Sequence, residues 1–371
     1  MLSHCVYAVN PAVDVYKIGD DILEFYFINT RRRITMEVTP SVVALVNLLD
    51  GQSELRDICL SIDIPLSDDV ISFVEYLYAE KALILPLQTN EEAQLLSSTD
   101  HIRYDRQLNY FNSLYSGSEF AIQKKIENEI VLILGAGAIG SGIAMQLVMS
   151  GVRNLILVDK DIVTKDNLGR HFWYSEADLG KTKVNALSKY LSSVDSLVSC
   201  ECYHTLVDFD TSLDSWLARA TFVVNTLDEP YVGVTSLKVG RACYKLNTPL
   251  YVAGGFDAHL MSTGELMVPD KTPCVDCYTS FFSDKLKDWD PKYNVKALSE
   301  EELDENRFEV GGLASMSLFS ISYAMIVILN YWATGEPSYS RGRGELLFDN
   351  LEIEYLNIPK NPDCHVCGNK R

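Results

Sequence analysis

The segment from Val131 to Asp159 constrains the fold more than any other part of this 371-residue chain. Val131 to Leu134 form a short apolar run, as a parallel strand covered on both faces requires. Gly135, Gly137 and Gly140 follow at GxGxxG spacing, and the next apolar run, LILVD, ends in Asp159. A strand, a glycine-rich turn, a helix and a second strand tipped with an acid make a nucleotide-binding βαβ unit. The glycines let backbone N–H groups approach phosphate at the positive end of a helix, and Asp159 is placed for a ribose hydroxyl. The predicted fold class is therefore α/β, a doubly wound Rossmann-like domain.

Which nucleotide it takes is decided further along. No G-K-[ST] closes the loop, since the later GKT at 180–182 lies far outside it, so the phosphate cations must come from elsewhere. Asn167 and Arg170, then Lys183, supply an amide and two cations just beyond Asp159, which suits a triphosphate such as ATP better than a dinucleotide's pyrophosphate. FVVNTLDEP reads as another buried strand, and Asp228 at its carboxyl edge is placed to hold Mg2+. Ordinary surface charge explains any one of these residues alone. Four polar residues at successive strand and loop ends weigh against it.

The cysteines carry the second signal. Cys274 and Cys277 form one CxxC, Cys364 and Cys367 another, both in turn-like contexts, and four thiolates suit a closed tetrahedral Zn2+ site. Free thiols or redox pairs are the alternative, opposed by the expectation that neither pair opens a helix; His365 is read as a bystander. The remaining five of the nine cysteines are scattered, and the odd total with no secretory signal points to a reducing cytoplasm. A net charge of −19 opposes nucleic-acid and anionic-membrane partners. The apolar stretch LFSISYAMIVILNYWA is long enough to suggest a membrane span, but its serines and Asn330 favour a buried helix instead.

Residues 1–87 read as a separate α+β module. DILEFYFI and RITMEV are strands, followed by a helix with Thr39 as cap, Pro40 in its first turn and Gly51 as stop, then two further helices. Residues 88–100 read as a linker and 101–371 as the nucleotide-binding domain, with a polar, acidic crossover at 283–310.

The GxGxxG turn, Asp159, NLGR at 167–170, Lys183 and Asp228 together resemble the ThiF/MoeB/ubiquitin-activating-enzyme superfamily, whose members adenylate carboxylates. RYDRQ at 103–107 adds to the resemblance, which implies that Arg106 reaches into a neighbouring subunit's ATP site and that the protein is a homodimer. The superfamily also carries a zinc clip and a loop crossing over the active site. One departure stands out: His171 occupies the position where the family has Gln after its Arg. The N-terminal module is similar to PqqD-like, winged-helix-like peptide-recognition domains, and the combination looks like the enzymes that mature microcin C-type and pantocin-type ribosomal peptides. The resemblance implies that a precursor peptide docks its leader on residues 1–87 and is activated as an acyl-adenylate. Asp228 then holds magnesium, Arg170, Lys183 and Arg106 neutralise phosphate charge, Asn167 orients phosphate, and Asp159 fixes ribose. An adenylyltransferase for a ubiquitin-like sulfur carrier, a dehydrogenase and a non-catalytic peptide-binding scaffold remain as alternatives.

Overall fold

The computed structural model describes residues 5–19, 21–87, 90–115, 117–229, 232–287, 312–337 and 342–368. The chain divides into two compact units, Met1–Lys124 and Lys125–Arg371. The segment expected to be the crossover, 283–310, lies mostly outside the described residues.

The first unit opens with β1 (Val6–Val9), β2 (Val13–Lys17), β3 (Ile22–Phe27) and β4 (Arg33–Glu37). It continues through α1 (Pro40–Leu48), β5 (Asp50–Glu54), α2 (Leu55–Ser61), α3 (Asp68–Ala79) and β6 (Leu83–Ile84). Two three-stranded antiparallel sheets result, β2-β3-β4 and β5-β1-β6. Period-two alternation on β3 buries Leu23, Phe25 and Phe27 in a core shared with Tyr7, Leu45, Leu55 and Leu77. On β4 the same period turns Ile34 and Met36 toward that core and leaves Arg33, Thr35 and Glu37 exposed. Among the described residues β4 pairs with β3 alone, so its outer edge is open.

Gly51 does not stop α1. It lies inside β5 at φ +79°, where the β1–β5 register shifts and a Cβ would press on Ala8 and Pro86 at 3.1 and 3.3 Å. A 3-10 turn, Glu92–Leu95, leads into α4 (Ser98–Arg103), whose start is capped by Ser97 Oγ accepting the Asp100 N–H at 3.1 Å. Next come α5 (Asp105–Leu114) and α6 (Glu119–Asn128).

The second unit alternates strands and helices: β7 (Ile130–Leu134), α7 (Ala138–Met149), β8 (Asn154–Asp159), α8 (Lys183–Val194), β9 (Ser199–His204), α9 (Asp214–Leu217), β10 (Phe222–Asn225), α10 (Val232–Lys245) and β11 (Leu250–Val252). There follow β12 (Leu260–Ser262), β13 (Glu265–Met267), α11 (Val275–Leu286), α12 (Ala314–Thr334), β14 (Arg343–Leu347) and β15 (Ile353–Leu356). The main sheet runs β13-β11-β10-β7-β8-β9, parallel except for β13. Its central strands are buried on both faces, as their unbroken apolar sequences require. From β7 the chain steps outward to β8 and β9 and then returns to β10 on the other side of β7. The topological switch point therefore lies between the carboxyl ends of β7 and β10, where open α/β sheets bind ligands.

Among the described residues one helix, α12, is long and apolar enough to cross a membrane. Ile321, Ala324, Met325 and Ile328 on it are buried, and Ile321 packs so closely on Gly142 of α7 that a Cβ there would overlap it.

Candidate functional site

The glycine-rich turn leaves β7 at the switch point. Gly135 has φ +95°, and a Cβ on it would overlap Thr226 Oγ1 at the end of β10; one on Gly140 would overlap the Gly135 carbonyl. Nothing but glycine allows that approach. Gly137 caps α7, and the space beside it is open. Asp159 ends β8 and braces the turn from below: one carboxylate oxygen accepts the Ala136 N–H at 2.6 Å, the other the Asp161 N–H at 2.7 Å. Burial pushes its pKa up, and these two donors act against that rise by stabilising the anion.

Beyond Asp159 the chain makes a 3-10 turn, Lys165–Gly169, that holds the predicted amide and cation together. Asn167 is buried; its Oδ1 accepts the Thr164 N–H at 3.1 Å, and its Nδ2 donates to Asp166 at 2.9 Å. Arg170 follows the turn directly. Lys183 opens α8 and is almost wholly buried, with its ammonium donating to Asp161 at 2.7 Å. His171 packs against Tyr174 with ring centroids 5.4 Å apart, and its buried Nδ1 has no partner. Burial, and then the fields of Lys183 and Arg170, lower its pKa to about 4, so the ring is neutral at physiological pH.

Asp228 lies just past β10, on the other side of the switch point, exposed and with no partner among the described residues. A free carboxylate oxygen at that place fits a hard cation such as magnesium. The strand ends thus bring together the glycine turn, Asp159, the Asn167–Arg170 turn, Lys183 and Asp228 in the second unit. Arg106 belongs to the first unit, in the opening turn of α5, with its side chain fully extended into solvent and 3.7 Å from Asp105.

Three contributors were not singled out in the sequence. Thr226 donates its hydroxyl to the carbonyls of Leu134 and Gly135 at 3.0 Å each, which seats the turn. Tyr174 donates to the Ala136 carbonyl at 2.9 Å, and Asp161 holds Lys183. The spacing DKD after LILV was the available signal for Asp161.

The four cysteines meet. Their sulfur atoms all lie within 4.8 Å of one another, with Cys274–Cys277 at 3.9 Å, Cys274–Cys364 at 3.6 Å and Cys277–Cys367 at 3.4 Å. A tetrahedron with Zn–S bonds of about 2.3 Å has edges of about 3.8 Å, so this donor set fits zinc. Contrary to expectation, Cys274 caps α11, so this CxxC does open a helix. What excludes a redox pair is the convergence of both CxxC motifs on one point. His365 is exposed and stands 3.9 Å from Asp276, outside the sulfur set.

The sequence profile of the ThiF family matches residues 104–366. The molybdopterin-synthase adenylyltransferase of Escherichia coli (strain K12) is 26% identical over 278 residues, covering 74% of this chain and 98% of that protein. In fold the chain is similar to E. coli MccB crystallised with AMPCPP and MccA, with a TM-score of 0.70 and 22% identity over 98% of this chain and 99% of the other. The microcin C7 biosynthetic enzyme MccB in complex with N-formylated MccA gives a TM-score of 0.69 at 21% identity with the same coverage.

Proposed function

Because this chain belongs to the ThiF family and is an ATP-dependent adenylyltransferase, we propose that it activates a carboxylate of a ribosomally made precursor peptide as an acyl-adenylate in the biosynthesis of a peptide natural product. A nucleophile within the peptide then attacks the acyl carbon, giving a crosslink, ring or imide and releasing AMP. The observation that carries this reading is the first unit. The molybdopterin-type relative covers 74% of the chain, and the family profile begins at residue 104, whereas the similarity to peptide-bound MccB extends over 98%. Residues 1–87 are the part that a carrier-protein adenylyltransferase does not need, and the open edge of β4 offers backbone groups to which an extended leader can add a strand.

In this mechanism Asp159 fixes the ribose, the amides of the glycine turn and Asn167 orient the phosphates, and Arg170 with Lys183 neutralises their charge. Asp228 holds magnesium, which supplies further charge neutralisation at the phosphates. Zinc in the cysteine cluster is structural. Arg106 completes the site of a partner subunit, a role for which its full exposure leaves it available. The homodimer this requires is supported by large apolar side chains exposed in the single chain, Leu318 and Ile326 on α12 and Met149 on α7. Exchange of labelled pyrophosphate into ATP tests the reading: the precursor peptide encoded beside the gene should drive it, and a folded sulfur carrier with a Gly-Gly tail should not. Exchange driven by the carrier alone would replace this reading with the carrier-protein one.

A further inference from the structure

A half-open cavity of about 350 Å³ lies within the first unit, a size that admits a peptide side chain with its neighbours. Phe27, Thr30, Arg32, Lys81, Asn112 and Tyr115 contribute to its wall. Lys81 follows α3 with a left-handed backbone at φ +61°, a position where glycine costs less. Arg31, beside the cavity, does the same at φ +58°. Two long cations thus stand where the backbone alone would favour none. The half-buried ammonium of Lys81 donates to the Gly117 carbonyl at 3.0 Å, and among the described residues no carboxylate pairs with it. Glu119 acts on it only from beyond ion-pair distance and accepts from Asn112 Nδ2 at 3.0 Å. Asn112 Oδ1 is buried without a donor. Arg32 lies 3.9 Å over the Phe27 ring and pairs with Glu80.

The wall therefore carries a surplus cation that lacks a counter-ion, in a protein of net charge −19. Its position gives the cavity a route for a ligand, because Arg32 in the wall is followed at once by Arg33, the first residue of the open edge strand β4. A peptide paired along β4 and running past Arg33 comes next to Arg32, a residue of the cavity wall. We propose that this cavity anchors an acidic side chain, Asp or Glu, of the peptide that docks on β4, with Lys81 as its counter-ion. The inference rests on the leader-docking reading above and adds to it a sequence requirement on the leader.

The test uses the full chain with 13C-methyl labels on alanine, isoleucine and methionine, titrated with Ac-Val-Thr-Val-Glu-Val-Thr-NH2 and with its Gln counterpart. Ala12 and Ala79 line the cavity, whereas Ile34 and Met36 report on β4. The Glu peptide should shift Ala12 and Ala79 and bind about tenfold more tightly than the Gln peptide, as a charge-assisted contact provides. Lys81→Gln should abolish that preference and Lys81→Arg should keep it. Asn112→Asp, which places a carboxylate in the wall, should abolish it independently. Equal binding of both peptides, or a preference that survives Lys81→Gln, overturns the anchor. If Ile34 and Met36 respond to both peptides while Ala12 and Ala79 stay still, the anchor fails and docking on β4 stands. If none of these methyls moves, both fail.

Discussion

His171 illustrates how a single buried base links the site to pH. Its ring lies among Lys183, Arg170, Asp166 and Tyr174, and burial with the two cations takes its pKa from the ordinary 6.5 down to about 4. Between those two values the unfolded chain binds a proton that the folded chain refuses, so stability is full above 6.5 and falls as pH drops through the window. The loss over the whole window is about 3 kcal/mol. His171→Gln, which restores the family's residue, should flatten that part of the stability curve, as urea midpoints measured from pH 7 to pH 4 would show. An unchanged slope contradicts it. At this scale the sequence was legible where the backbone itself makes the demand. Gly135, Gly140 and Asp159 are fixed by a turn that accepts no Cβ and by an acid that caps it. It was not legible where a side chain meets a group distant in sequence, as Asp161 meets Lys183 or Thr226 meets the Leu134 carbonyl.

Among the elements, the cysteine cluster ties the start of α11 to the segment after β15, two parts of the chain that share no sheet. Closing so long a loop is costly without a crosslink, and a four-thiolate zinc site supplies one. Cys364→Ser should therefore lower both the zinc content, from one per chain, and the melting temperature by several degrees. Unchanged zinc and melting temperature contradict a structural site. The strands that position the nucleotide, β7, β8 and β10, were readable because burial on both faces demands unbroken apolar runs. The small strands β1, β2, β5 and β6 were not: DGQSE in β5 carries no apolar residue and holds its conformation through pairing, and VYAV, VDVYK and LI are too short to display a period. Gly51 misled for the same reason: a glycine after an apolar run reads as a helix stop, yet here it serves a bent edge strand.

For the whole molecule, the account requires two sites built from two chains. Mixing Arg106→Ala and Asp228→Ala subunits tests this, because a mixed dimer restores one site with both residues intact, and random pairing should recover about a quarter of the native exchange rate. Activity no higher than either parent contradicts the shared site. The large architecture was legible because the two signals that define it, a βαβ nucleotide unit and paired CxxC motifs, are local. How much of the chain before residue 125 belongs to the first compact unit was not legible, since α4 and α5 join it through long-range packing rather than through any motif. The central claim is that a peptide carboxylate attacks the α-phosphate of ATP. Precursor peptide labelled with 18O in its carboxylates tests it most directly, since displacement from the acyl-adenylate leaves one peptide oxygen on the nucleotide. Mass spectrometry should find AMP carrying one 18O; unlabelled AMP, or label in orthophosphate beside ADP, would contradict the account.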